Sequence, residues 1–469
     1  MTPSDPILYW NDVALDANKE SFTNGAKEQD GPTLSSRALA LVHLAMHDAY
    51  FAINPTQVNS VNIIPYQTPP TPVPAAGATN SAIAAAAYDM LARLYPTQKP
   101  ALQSKLADAP ASTGADASAG QMFGIAVSNA LWKLRKDDDK ADDAGYSPSP
   151  GKFKHRPDPD NSPQPFHGCY YGTTPLLAVN GTPPTLDPPP LSPTDYQPAL
   201  MQVHSEGIKP ELTDTLSTAT SRRSPKETLI GIFWGYDGAK GLGTPPRLYN
   251  QIIRKIAETK EALNPNPTAK YARLLALVNV AMADAGILAW KEKYKWDVWR
   301  PVVAIREHDS SMGPLSATPA NALVKGCDPF WLPLGAPKSN EPGKKNFTPP
   351  FPAYPSGHAT FGAAAFQMTR LFYQQGTGTT DTLCQGLSFV SDELNGKTAD
   401  NTGAIRPKHA RTFDSLWDAI RENGFSRVYL GVHWIFDAFG KPDYSDMVGG
   451  IPLGLKIAKN VYDNNLTKP

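Results

Sequence analysis

Phe351-Pro-Ala-Tyr-Pro-Ser-Gly-His358 runs directly into Ala359-Thr-Phe-Gly-Ala-Ala-Ala-Phe-Gln-Met-Thr-Arg-Leu-Phe372. Pro355 stops whatever precedes it. Ser356 is a good N-cap residue, and the apolar run behind it predicts a helix. Ser356, the Gly357 N–H and His358 therefore fall at the positive end of a helix dipole, where a tetrahedral oxyanion binds well. Two other stretches hold the cations such a site needs: Lys293 with Arg300, and Arg427 with His433.

Working outward, helical patterns dominate. They are predicted at Leu34–Ile53, Asn80–Leu94, Lys99–Leu106, Thr113–Arg135, Lys226–Tyr236, Pro246–Leu263 and Thr268–Trp299. Further helices are predicted at 356–375, 412–430, 433–439 and 447–463. Residues 1–32 read as an irregular arm. Residues 136–200 and 307–350 read as long Pro-rich excursions. The 47 prolines mark ordered loops rather than disorder, because aromatics are interleaved with them. Strand patterns are few. The predicted fold is all-α: two four-helix-bundle-like halves in one compact unit, divided as 1–225 and 226–469. An internal similarity fits that division. Leu41-Val-His-Leu-Ala-Met-His-Asp-Ala49 parallels Leu277-Val-Asn-Val-Ala-Met-Ala-Asp-Ala285, which predicts related bundles of which one lacks the chemistry.

Composition excludes several classes. At 469 residues the chain can bury a large core. The net formal charge is zero, which argues against a general nucleic-acid binder. No wholly apolar run reaches 18 residues, so a soluble protein without a membrane span is expected. The first residues show no secretory signal pattern. Cys169, Cys327 and Cys384 are odd in number and far apart, so neither a disulfide framework nor a zinc cluster is expected.

Lys293 and Arg300 are seven apart, which places them on one face of a continuous helix, with Trp290 a turn earlier. Two cations on one face usually mean a solvated face, but Trp290, Trp296 and Trp299 make this segment too aromatic for that. Pro301 is expected to end the helix. Arg427 and His433 would diverge on a straight helix, and Gly431 offers a break that turns both to one point. His433 and Asp437 are four apart, so the carboxylate can take one ring proton and leave the other nitrogen as nucleophile or ligand. Taken singly, such an Asp–His pair is more often structural.

The three pieces occur in order: Lys-x6-Arg-Pro, Pro-Ser-Gly-His and Ser-Arg-x3-Gly-x-His-x3-Asp. Together they resemble the signature of the superfamily that joins vanadium-dependent haloperoxidases to type 2 phosphatidic acid phosphatases and bacterial class A acid phosphatases. Trp290 and Phe351 resemble residues lining the halide side of the vanadium chloroperoxidase pocket. Trp234-Gly-Tyr-Asp-Gly238 resembles the segment whose acid, here Asp237, supports an arginine of that site. The resemblance covers the second half well and the first half thinly.

The resemblance implies one vanadate per chain. His433 would bind vanadium, and Lys293, Arg300, Arg427, Ser356 and the Gly357 N–H would hold its oxygens. His358 would be the acid–base group and Lys293 would polarise bound peroxide, with Asp437 behind His433. The implied partners are hydrogen peroxide and chloride or bromide, giving diffusible hypohalous acid or acting on an organic acceptor; a homodimer is allowed. The same constellation explains a phosphatase, with His433 attacking phosphorus. A non-catalytic oxyanion store would not need a poised His358. His43 and His47 are four apart, a spacing that can bind metal, but packing in an Ala-rich helix is the ordinary reading. Nothing in the sequence selects among His155, His167, His204, His308 and His409 for a pocket wall.

Overall fold

The computed structural model describes residues 5–138, 143, 145–216 and 221–469. Thirteen α-helices appear among them, and β structure is limited to two short antiparallel hairpins, 57–62 and the pairing of 389–390 with 410–411. The all-α prediction therefore holds.

The first helix, α1 (Pro6–Ser21), corrects the expectation of an irregular arm; the part of that arm before Asp5 lies outside the described residues. Asp5 caps it by accepting from the N–H groups of Ile7 and Leu8, and Pro6 sits in the first turn. Its amphipathic signal is blurred because Asn11 and Asn18 are buried with the apolar residues, held by hydrogen bonds to Asn250 and Ser35. Next come α2 (Gly31–Ile53), α3 (Thr79–Leu94), α4 (Lys99–Asp108) and α5 (Gly114–Arg135). After the long excursion follow α6 (Pro193–Glu206), α7 (Pro225–Phe233), α8 (Pro245–Lys260), α9 (Thr268–Trp296) and α10 (Pro301–Arg306). The chain closes with α11 (Gly357–Phe372), α12 (Leu416–Tyr429) and α13 (Gly450–Asp463). Residues 139–142 and 144 of the predicted excursion lie outside the described residues.

In the first half α2, α3 and α5 pack together, with α1 against them. In the second, α9, α12 and α13 surround α11, and α2 lies along α9 to join the halves. Small residues set the closest approaches. Gly124 of α5 meets the Ala82 carbonyl of α3, and Gly454 of α13 meets the Thr360 carbonyl of α11; a Cβ at either position would collide with backbone. Helix α9 is long and apolar enough to cross a membrane, yet its apolar window is wholly buried inside the protein.

The internal repeat falls on α2 and α9, which touch. Its two aspartates do the same work: Asp48 accepts from the N–H groups of Tyr66 and Gln67, and Asp284 from those of Leu177, Ala178 and Val179. Each core helix thus uses one buried carboxylate to fasten a returning loop, satisfying amides that burial would otherwise leave unpaired. His43 and His47 are buried in this layer; His43 bonds Asn11 and the Leu39 carbonyl, and His47 bonds Asp48.

Candidate active site

Lys293 lies one turn beyond Trp290 on α9, and both are fully buried. Its Nζ donates to the carbonyls of Pro352 (2.8 Å), Ala353 (3.2 Å) and Pro355. Helix α9 stops at Trp296, with Asp297 in the left-handed region (φ 56°), and Pro301 opens α10 with Arg300 as its N-cap residue. This corrects two expectations. Lys293 and Arg300 do not share a continuous helical face, and Pro301 begins a helix rather than ending one, since proline's fixed φ and missing N–H suit a first turn. The turn at Asp297 nevertheless folds Arg300 back to the site. Its Nε donates to the Phe351 carbonyl (2.9 Å), and its Nη1 donates to the Val432 carbonyl (2.8 Å) and lies 2.9 Å from His433 Nε2.

Arg427 occupies the last turn of α12, and the chain then breaks at Gly431 (φ 71°), where a Cβ would collide with the Gly207 carbonyl. The break turns Arg427 and His433 into one cavity, as expected of Gly431. Asp237 grips Arg427 with both oxygens, 2.9 and 3.0 Å from its terminal nitrogens. The predicted helix over 433–439 is only a 3-10 turn, Ile435–Asp437, because the chain must leave α12 to bring His433 round. His433 Nδ1 still lies 2.7 Å from Asp437 Oδ2, which also accepts from the Trp434 N–H (3.0 Å). A carboxylate there draws the ring proton to Nδ1 and leaves the Nε2 lone pair free.

Ser356 caps α11 as predicted, accepting from the Ala359 N–H at 3.4 Å, while its own N–H donates to the Asp437 carbonyl (2.8 Å). Gly357 opens α11 and packs on the Trp290 ring: a Cβ there would lie 3.3 Å from it. Phe351 stands against Trp290, ring centres 4.8 Å apart, and Lys293 Nζ is 5.0 Å from the Phe351 ring centre. His358 Nε2 is 3.9 Å from Asp237 Oδ1 and makes no hydrogen bond.

A cavity of about 570 Å³ opens over these groups. Asp237, Trp290, Phe351, Gly357, His358, Arg427 and His433 line it, whereas Lys293, Arg300 and Ser356 are buried and do not line it. Burial, and then Arg427, push His358 down to about 3, so its ring is neutral. Burial, and then Arg300 and Lys293, likewise hold His433 neutral. Burial raises Asp437 to about 7. Burial is the largest influence on Asp237 and opposes its ionisation, but Arg427, His358 and Arg300 together outweigh it and keep the carboxylate below its ordinary range. Lys293 is lowered by burial and then by Arg300.

Three buried cations thus face two carboxylates, and Arg300 Nη2, Arg427 Nε and His358 Nε2 are buried without a hydrogen-bond partner. The two unpaired guanidinium donors are costly unless a bound anion uses them. No cluster of His, Cys, Asp and Glu able to hold a metal ion by itself occurs among the described residues, and the three cysteines are free.

One wall residue was not selected by the sequence. His167 lines the cavity, delivered by the long excursion, and no spacing in that Pro-rich segment distinguishes it from its fellow histidines. His155 is buried nearby and does not line the cavity.

Residues 3–166 match the vanadium chloroperoxidase N-terminal domain, and residues 273–465 match the VCPO second helical-bundle domain. The chain is 34% identical to the vanadium chloroperoxidase of Curvularia inaequalis, over 98% of this chain and 90% of that protein. Two solved structures share the fold. A bacterial vanadium-dependent iodoperoxidase superposes with a TM-score of 0.64 at 21% identity, covering 97% of this chain and 95% of its own. The holo form of a bacterial vanadium-dependent chloroperoxidase gives 0.63 at 17% identity, covering 93% and 92%. The phosphatase alternative is not favoured by these relatives. With a relative this similar along nearly its whole length, the chain belongs to the vanadium chloroperoxidase family and is a vanadium-dependent haloperoxidase, a vanadate enzyme that acts on halide with hydrogen peroxide.

Proposed function

We propose that this haloperoxidase oxidises chloride as well as bromide, at the cavity floor between His433 and His358. The observation that carries the reading is a set of buried, unpartnered nitrogens beside a neutral His433: the donors Arg300 Nη2 and Arg427 Nε, and the proton acceptor His358 Nε2. Their chemistry fits a tetrahedral oxyanion that also needs one nitrogen ligand. Bound vanadate supplies a Lewis acid that stays at +5 and activates hydrogen peroxide toward halide.

His433 Nε2 is the ligand nitrogen, and Asp437 fixes its tautomer. Lys293, Arg300, Arg427, Ser356 and the Gly357 N–H would hold the oxyanion's oxygens by charge-assisted hydrogen bonds. Asp237 keeps Arg427 in place. His358, held neutral, takes a proton at Nε2 from incoming hydrogen peroxide. Trp290 and Phe351 form the halide wall and exclude water, which strengthens the field of Lys293 at the reacting oxygen. Chloride is harder to oxidise than bromide, and this dry, cationic wall supports its use.

The product reading is hypohalous acid that diffuses away or meets an organic acceptor. We read the chain as a soluble enzyme of small molecules, with no nucleic acid or membrane partner and with a homodimer allowed. We divide it as a 1–225 bundle and a 226–469 bundle that carries the vanadate site. Halogenation of a monochlorodimedone-type acceptor with chloride, bromide and iodide, with and without vanadate, tests the activity. Turnover of all three only with vanadate is expected. Bromide and iodide turnover without any chlorination would overturn the chloride reading.

A further inference from the structure

The floor of the cavity is accounted for by its charged groups, but a further polar ring, His167, stands beside the aromatic wall of Trp290 and Phe351. His167 is held there by its backbone. Its N–H donates to the Pro350 carbonyl (3.0 Å), and its own carbonyl accepts from Trp290 Nε1 (3.2 Å) and the Tyr294 hydroxyl (2.8 Å). Just after it, both oxygens of Asp143 take the N–H groups of Gly168 and Cys169 (2.8 and 2.6 Å). The excursion is thus pinned at this point to the same α9 and Pro350–Phe351 segments that form the halide wall.

The ring lies 6.5 Å from the Phe351 ring, centre to centre, and contributes to the cavity lining. It makes no hydrogen bond to the protein, and its Nε2 is buried against Gly31. Gly31 has φ 74°, and a Cβ there would overlap the imidazole, so this glycine makes room for the ring. An imidazole that only filled space would be better replaced by an apolar side chain, because an unpaired polar ring in a dry wall is unfavourable.

We propose that His167 is a third residue of the halide wall and sets halide selectivity by offering an imidazole N–H to the anion. This rests on reading Trp290 and Phe351 as that wall. A halide that settles against the two aromatic rings loses water. The ring edges replace that water weakly, and an N–H donor replaces it well. The smaller, more strongly hydrated halide loses more and so depends more on the donor. Sites built around a hydrogen bond discriminate strongly when the bond is removed.

The test uses the vanadate-loaded enzyme and the variants His167→Phe, which keeps the ring and removes the donor, and His167→Gln, which restores one. For whichever two halides the wild type turns over, His167→Phe should raise the KM of the more strongly hydrated one about ten-fold relative to the other. The kcat values and vanadate affinity should stay near wild type, and His167→Gln should recover part of the ratio. An unchanged ratio, or an equal loss on both halides, would overturn the proposal. A second measurement does not depend on the variants folding. Anomalous diffraction from wild-type crystals soaked in bromide should place a bromide in contact with the His167 ring. Bromide seated on Trp290 and Phe351 away from His167 would refute His167 alone. Bromide absent from all three would refute the wall reading with it.

Discussion

At the residue scale the proposed site rests on two histidines made neutral by burial and given different work. His433 is tied to Asp437, whereas His358 Nε2 is left without a partner. His358→Ala is therefore expected to keep vanadate and to lose most halide turnover, roughly 10²-fold or more, as for removal of a general base. Vanadate binding and steady-state bromination measured on one preparation check this; a parallel loss of both would make His358 a holder of the cofactor. Phe351 shields Lys293 and stacks near Arg300, whose guanidinium lies 5.1 Å from its ring centre. Phe351→His admits a polar ring and water, so chloride turnover should fall more than bromide turnover. Competitive assays with both halides read the ratio, and a rise in relative chloride use would contradict the role given to this ring. These residues were legible in the sequence because three short motifs each hold a polar group that its ordinary surroundings do not explain. His167 was not legible, since only the folded excursion brings it to Trp290.

At the element scale, small residues and buried carboxylates decide how the helices meet. Gly454 lets α13 rest on the Thr360 carbonyl of α11, two residues past His358. Gly454→Ala should therefore destabilise the protein by about 1–3 kcal/mol through overpacking. It should also weaken vanadate binding, because the start of α11 cannot move without moving Ser356 and Gly357. Denaturant unfolding of the vanadate-free protein and a vanadate titration check the two effects, and an unchanged stability would show that the helices part easily. The elements missed or misdrawn have two causes. In α1, buried asparagines hide the amphipathic period. After Trp296 and after Tyr429, the left-handed Asp297 and Gly431 turn the chain where periodicity alone continues the helix. Both turns are needed by the site, since they bring Arg300 and His433 to it. The repeat between α2 and α9 was legible in nine residues, and its sense emerges in the matched loop-fastening roles of Asp48 and Asp284.

At the scale of the whole molecule, one continuous apolar core runs through both bundles and under the cavity. A tetrahedral anion that fills the cationic floor should stabilise this unit as a whole. Ligand at 100 times its dissociation constant contributes about 2.7 kcal/mol. Vanadate should raise the melting temperature of the vanadate-free enzyme in one cooperative transition. Inorganic phosphate should do so more weakly, and should compete with vanadate in reactivation. Phosphate that neither stabilises nor competes would mean that the floor does not recognise the tetrahedral shape. The predominance of helix and the bundle packing were legible because caps, prolines and apolar periods agree along most of the chain. The path of the excursion over 136–192 was not, because its fixing contacts are backbone bonds to distant segments, such as His167 to Pro350 and Leu177 to Asp284.

The central claim is that His433 carries the vanadium on a floor of buried cations. Equilibrium dialysis of vanadate against the wild type and His433→Ala, with the fold of each checked by its melting transition, tests it most directly. One vanadate per wild-type chain is expected, with affinity in the folded variant lower by at least about 10²-fold, the scale of losing a metal's ligand or its support. A folded His433→Ala chain that retains vanadate as tightly as the wild type would contradict the account.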